Sequence, residues 1–92
     1  MRAPTMQNVE QDRPTRERLL AMFRDVASEV VEKDFQQVLE STPIGELAID
    51  SLGMLEIIGA LERRLRIQVP DESLAGLQTI GDLLDIVEKR LA

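Results

Sequence analysis

The chain has 92 residues and contains no cysteine, histidine, tryptophan or tyrosine, which excludes disulfides, thiolate or imidazole metal sites and histidine-based catalysis. Its hydrophobic fraction of 43% and charged fraction of 30% are typical of one small folded domain. The net charge of −6 indicates no nucleic-acid and no membrane partner, because binding to phosphate backbones or anionic lipids depends on cationic side chains.

The first 13 residues are predicted to form a flexible N-terminal tail, and residues 14–92 to form the folded domain. The tail is polar, contains Pro4 and shows neither helical nor alternating periodicity. It lacks the apolar centre of a signal peptide, and no apolar run in the chain approaches the roughly 20 residues needed to cross a bilayer. We therefore expect a cytoplasmic protein.

The first helix is predicted from about Thr15 to Glu32. Within this segment, apolar residues recur at intervals of three and four, at Leu19, Phe23, Val26 and Val30. This spacing places them on one face of a helix, which we expect to be buried.

Lys33 to Asp50 is predicted to be a long loop. Thr42, Pro43 and Gly45 interrupt any regular pattern there. We expect the loop to be pinned to the core by its apolar residues, which are Phe35, Val38, Leu39, Ile44, Leu47 and Ile49. Structureless connections of this length are uncommon in compact domains and are often functional.

Three further elements complete the predicted fold. They are a second helix from about Ser51 to Arg66, one or two helical turns within Asp71 to Leu77, and a last helix from Thr79, whose partner Asp82 has capping-box spacing. The sequence thus predicts an all-α protein. Its architecture is a small four-helix bundle of three main helices plus one short helix, with a long loop between helices one and two.

Ser51 is the residue whose position suggests the most specific chemistry. Nucleophilic catalysis would need a neighbouring base, but there is no histidine and the two lysines, Lys33 and Lys89, lie in polar contexts. We therefore predict no catalytic residue and no metal site. A serine in the first turn of a helix can instead hold a phosphoester, which the free backbone N–H groups and the helix dipole stabilise. Taken alone, Asp50-Ser51 is more often a plain helix cap.

The order of motifs around Ser51 resembles the acyl carrier protein family, over about Arg16 to Leu91. The resemblance rests on three segments in a fixed order, which are Asp50-Ser51-Leu52, then Leu61 to Glu72, then Leu77 to Leu83. The serine opens the second helix, the Val-Pro-Asp-Glu link follows that helix, and a threonine begins the last one.

The resemblance implies that Ser51 receives 4'-phosphopantetheine from coenzyme A, added by a separate phosphopantetheinyl transferase. The thiol of this cofactor would carry an acyl intermediate as a thioester, so the chain itself would be a carrier and not an enzyme. Asp50 matches the acid that precedes the family's serine. By resemblance, it would help to position the transfer reaction near the transferase's magnesium ion.

A helical wheel divides the second helix into two arcs. The core arc contains Met54, Ile57, Ile58, Leu61 and Leu65. The opposite arc begins beside Ser51 and is predicted to bind partners, through Leu52, Leu55, Glu56, Gly59, Glu62 and Arg63. The resemblance implies partner contacts by the two leucines and the two glutamates of this set. Gly59 would reflect either tight packing or close approach by a partner or by the cofactor arm.

The charge of the second helix departs from the family pattern. Between Asp50 and Arg66, three acids balance three arginines, and Arg63 stands where a fatty-acid carrier commonly has an acid. This balance argues against full exchange with fatty-acid synthase enzymes, whose basic patches rely on complementary charge.

We interpret the chain as a discrete, monomeric acyl carrier protein in polyketide or specialised fatty-acid biosynthesis. Its expected partners are the transferase and acyl-loading, ketosynthase or other acyl-processing enzymes. Two alternatives remain. One is an aminoacyl or peptidyl carrier of a nonribosomal-type pathway, and the other is a non-carrier helical interaction module in which Ser51 only caps a helix.

Overall fold

The computed structural model describes residues 14–91, which form three α-helices and two short 3-10 turns. The helices are α1 (Arg16–Val31), α2 (Ser51–Leu65) and α3 (Ile80–Leu91), and the 3-10 turns are Ile44–Leu47 and Asp71–Leu74. The predicted tail, residues 1–13, lies outside the described residues. Over residues 14–91 the only β pairing is a single bridge between Pro43 and Thr79. The predicted all-α fold is confirmed.

Side chains fix the start of each helix. Thr15 Oγ1 accepts the Arg18 N–H at 3.2 Å at the start of α1. At the start of α3, Thr79 and Asp82 form the predicted reciprocal capping box. The Asp82 carboxylate accepts the Thr79 N–H at 3.1 Å, and Thr79 Oγ1 accepts the Asp82 N–H at 3.2 Å. The hydrogen bonds from the Thr79 and Gln78 N–H groups lower the pKa of Asp82.

The core forms where α1 packs against α2 and α3. Its fully buried side chains come from all three helices, namely Leu19, Phe23, Val26, Ile57, Ile80, Leu83, Leu84 and Val87. Ile58 and Leu61 of the predicted core arc are also buried, whereas Met54 and Leu65 are half-buried at its edge. No helix among residues 14–91 is long and apolar enough to cross a membrane.

The long loop docks on the N-terminus of α3 through backbone hydrogen bonds. The Gly81 N–H donates to the Glu40 carbonyl at 2.8 Å, and the Ile80 N–H donates to the Thr42 carbonyl at 3.0 Å. Gly81 is suited to this contact, because a Cβ there would lie 3.2 Å from the Glu40 carbonyl oxygen. These bonds satisfy N–H groups that a helix end otherwise leaves unpaired.

Two details of the loop and the short helix differ from the sequence prediction. Phe35 and Val38 are buried as expected, but Leu39 is 55% exposed and does not pin the loop. The short helix is only the 3-10 turn Asp71–Leu74. It stops before Leu77 because Ala75 already takes an extended conformation, with φ −68° and ψ 134°, and Gly76 follows it with a positive φ of 83°.

Two arginines of α1 hold the loop from its other side. Arg16 forms ion pairs with three carboxylates, at 3.0 Å to Glu40 in the loop and at 2.7 and 2.9 Å to Asp85 and Glu88 in α3. The hydrogen bond to Glu40 raises the pKa of the Arg16 guanidinium still further above its ordinary value. Arg24 donates to the Val38 carbonyl from Nε at 2.8 Å. The loop is therefore tied to α1 and α3 at once.

Candidate functional site

Ser51 is the first residue of α2, and its side chain is exposed. The cap of the helix is the preceding residue, Asp50, whose Oδ1 accepts the Gly53 N–H at 2.7 Å. Within residues 14–91, the Ser51 hydroxyl takes part in no side-chain hydrogen bond. The alternative in which Ser51 serves only as the cap is therefore wrong, because Asp50 already fills that role.

Gly53 gives the start of this helix room for close contacts. A Cβ at residue 53 would lie 3.0 Å from Ile49 Cγ2 and 3.1 Å from Asp50 Oδ1, which is closer than side chains normally approach. The glycine thus lets the Asp50 carboxylate reach the backbone N–H that it caps. The sequence pattern does not indicate this role of Gly53, since the contact depends on the local turn geometry.

An open, mainly apolar cleft of about 380 Å³ lies beside Ser51. Three parts of the chain line this cleft. They are the loop with Ile44, Ile49 and Asp50, helix α2 with Ser51, Met54, Leu55 and Ile58, and the segment after α2 with Leu74 and Leu77. The long loop and the second 3-10 turn therefore both contribute to the surroundings of the serine.

The site is poor in polar side chains within the described residues. Among residues 14–91, no group of three or more acidic side chains is placed to hold a metal ion. The polar side chains that line the cleft are those of Asp50 and Ser51, and Asp50 Oδ1 already accepts the Gly53 N–H. The arrangement can present a hydroxyl and shelter an apolar group.

The predicted partner arc is largely accessible. Leu52 is 65% exposed and Leu55 54% exposed, and they are two of the three large apolar side chains exposed within residues 14–91. Glu56 and Arg63 are also exposed, whereas Gly59 is half-buried. Exposed leucines beside the serine suit a docking surface, but their role in partner binding stays a prediction.

Glu62 has a structural contact that the helical wheel did not reveal. It is half-buried, and its Oε2 accepts the Val69 N–H at 2.8 Å. This bond fixes the extended link that follows α2 onto the end of the helix. The predicted partner role of Glu62 therefore has to coexist with a role in the fold.

Gly59 differs from Gly53 in its surroundings. A Cβ at residue 59 would meet only Arg63 Nη1, at 3.6 Å, which is an ordinary contact distance. Tight packing within the described chain therefore does not explain this glycine. Close approach by a partner or by the cofactor arm is the alternative that remains.

We expect Gly59→Ala and Gly53→Ala to change stability in opposite directions. Gly59→Ala should raise the free energy of unfolding by up to about 1 kcal/mol, because alanine is the better helix former and has room there. Gly53→Ala should lower it, because the new methyl group would crowd Ile49 and the Asp50 cap. Urea unfolding of both variants checks this. A gain in both would mean that the Asp50 cap tolerates a Cβ at residue 53.

Comparison with known proteins identifies the family. Residues 17–87 match the family model described as "Phosphopantetheine attachment site". The acyl carrier protein of Rhodococcus erythropolis is 36% identical over 76 residues, which are 82% of this chain and 84% of that protein. The meromycolate extension acyl carrier protein of Mycolicibacterium smegmatis is also 36% identical over 76 residues, 82% of this chain and 77% of that one.

A solved structure agrees with these relatives. The crystal structure of an acyl carrier protein from Thermotoga maritima matches with a TM-score of 0.76 and 33% identity, over 83% of this chain and 89% of that one. The chain therefore belongs to the acyl carrier protein family, whose members are carriers without catalysis of their own that bear covalently attached 4'-phosphopantetheine.

Proposed function

We propose that Ser51 is the attachment site and that the chain carries acyl intermediates as thioesters in polyketide or specialised fatty-acid biosynthesis. The observation that supports the site most strongly is the division of roles at the start of α2. Asp50 caps the helix at 2.7 Å, and the neighbouring Ser51 hydroxyl is exposed. A hydroxyl with no part in the fold is free to be esterified.

The residues around Ser51 fit a phosphodiester. The N-terminus of α2 provides a positive dipole end and backbone N–H groups that favour a phosphate nearby. The apolar cleft of about 380 Å³ can hold an apolar portion of an attached chain. The cofactor supplies the thiol that this cysteine-free protein lacks.

Asp50 suits a second role during modification. Its Oδ1 is occupied by the Gly53 N–H, while Oδ2 accepts no hydrogen bond from residues 14–91. We propose that Oδ2 faces the magnesium ion of the transferase, because carboxylate oxygens are preferred ligands of that ion. The same side chain would then position both the helix start and the incoming coenzyme A.

The acyl cargo is proposed from the relatives and from the charge of α2. The similar proteins are named as acyl carriers, and several are named for meromycolate extension, which favours an acyl over an aminoacyl or peptidyl cargo. The balanced charge of the second helix favours a specialised pathway over general fatty-acid synthesis. We further propose a monomeric, cytoplasmic carrier, in keeping with the net charge of −6.

Loading of the phosphopantetheinylated protein distinguishes the two cargo classes. One sample receives malonyl-CoA and a malonyl transferase, and a parallel sample receives ATP, amino acids and an adenylation enzyme that is active on a known peptidyl carrier. Intact mass should show malonyl addition and no aminoacyl addition, with Ser51→Ala unloaded in both. Aminoacyl addition without malonyl addition would overturn the acyl assignment in favour of the peptidyl alternative.

A further inference from the structure

One side of α2 carries an acid in its first half and a base in its last turn. Leu52 and Leu55 lie nearest Ser51, Glu56 follows them, and Arg63 is exposed in the last turn. These residues, together with Gly59, recur at intervals of three and four and so share one face of the helix, here called the docking stripe. Arg63 lies seven positions after Glu56, roughly 10 Å along the axis.

Arg63 makes no ion pair with another side chain of residues 14–91, whereas its neighbour does. Arg64 points away from the docking stripe and lies 3.6 Å from Glu29 of α1. Both arginines can interact favourably with the C-terminal end of the helix dipole. That general effect does not explain why Arg63 stands on the same face as the exposed leucines.

Gly59 opens a recess between the two charges. The groove at this point has a volume of about 410 Å³ and is lined by Val30 of α1 and by Leu55, Glu56, Gly59 and Arg63 of α2. Glycine is unfavourable in a helix, and nothing in the described chain comes close enough to require it. The recess is therefore a surface feature lined by two apolar side chains, one acid and one base.

We propose that the docking stripe binds a partner enzyme whose surface has the opposite order of charges. The partner presents a basic residue to Glu56, an apolar side chain to the recess at Gly59, and a carboxylate to Arg63. This inference rests on the proposed function, because the partners are enzymes that act on cargo held at Ser51. A uniformly basic surface is disfavoured, since it would place a like charge against Arg63.

Binding of the unmodified 92-residue chain to a fatty-acid ketosynthase with a uniformly basic docking surface tests whether such surfaces are disfavoured. At low salt, Arg63→Glu should lower Kd about fivefold relative to wild type, the effect of one exposed charge contact, and the gain should shrink as salt is added. Arg64→Glu is the matched control, because it makes the same charge change off the stripe. It should leave Kd within about twofold of wild type, as expected for a charge outside the contact.

Equal tightening by Arg63→Glu and Arg64→Glu would overturn the proposal, because only net charge would then matter. Absence of measurable binding by all three proteins would overturn it as well. Failure of the proposed function would appear in a different measurement, as absence of phosphopantetheine addition. The two failures can be distinguished, because binding is measured on the unmodified protein.

A charge exchange on the ketosynthase tests the proposed attraction between Arg63 and a carboxylate of the partner. Each basic residue of its docking surface is changed in turn to glutamate. At one position the preference should reverse, so that wild type binds more tightly than Arg63→Glu. Gly59→Leu should weaken binding to the altered ketosynthase that prefers wild type, because it fills the recess between Glu56 and Arg63. If no position gave a reversal, the proposed contact between Arg63 and a partner carboxylate would be wrong. If Gly59→Leu bound as wild type does, the proposed contact at the recess would be wrong.

Discussion

Ser51→Ala should give a folded protein that a phosphopantetheinyl transferase cannot modify. Loss of modification should be complete, because the hydroxyl is the group to be esterified and alanine has no oxygen in its place. The free energy of unfolding should change by no more than about 0.5 kcal/mol, as for surface substitutions that remove no cap. Asp50 provides the helix cap, and Ser51 is exposed. Peptide mass mapping and thermal melting measure the two effects.

Ser41→Ala is the matched control for this experiment. Ser41 is an exposed serine of the long loop, and its replacement should leave modification at the wild-type level. Modification that persists in Ser51→Ala would contradict the site assignment. A loss of stability of about 1 kcal/mol or more in Ser51→Ala would instead show that the serine contributes to capping.

Phe23→Ala should cause the largest loss of stability among single core substitutions. Phe23 has no exposed surface and lies in α1, the helix that packs against both α2 and α3. Truncating a buried phenylalanine costs about 3–5 kcal/mol, because the burial is lost and a cavity remains. For a domain of this size that corresponds to a fall in Tm of roughly 15–30 °C, which calorimetry can measure.

Leu39→Ala is the control that separates burial from hydrophobicity. Leu39 is 55% exposed, so its truncation should change the free energy of unfolding by less than about 0.5 kcal/mol. A comparable loss in both variants would mean that the long loop packs more closely than its exposed leucine indicates. A small loss in Phe23→Ala would contradict the described core.

The helices were predictable because their signals are local. Thr15, Asp50 and the Thr79–Asp82 pair each bond to backbone within three residues, so sequence spacing alone indicates where each helix begins. The core arc of α2 follows from helical periodicity in the same way, and its central members are buried. Local pattern and tertiary packing agree in these segments.

The arrangement of the long loop could not be predicted, because distant residues hold it. Arg16 reaches Glu40 and Asp85 across the fold, and the Gly81 N–H reaches the Glu40 carbonyl. Nothing in the spacing of these residues indicates that they meet. The first 3-10 turn, Ile44–Leu47, which contributes to the cleft beside Ser51, was missed for the same reason.

The second helix shows which features of the site lay beyond a helical wheel. The wheel placed Gly59, Glu62 and Arg63 on one accessible arc. It could not indicate that Glu62 accepts the Val69 N–H, since that bond depends on how the chain turns after the helix. Nor could the wheel decide whether Gly59 reflects tight packing or close approach by a partner or the cofactor arm. The structure argues against tight packing, because the surroundings of Gly59 are open.

The most direct test of the carrier assignment is the intact mass of the wild-type protein after incubation with coenzyme A, magnesium and a broad-specificity phosphopantetheinyl transferase. We predict a gain of one phosphopantetheinyl group, located at Ser51 by fragmentation. No gain, from a sample that circular dichroism shows to be helical and that is tested beside a carrier the transferase does modify, would contradict the account.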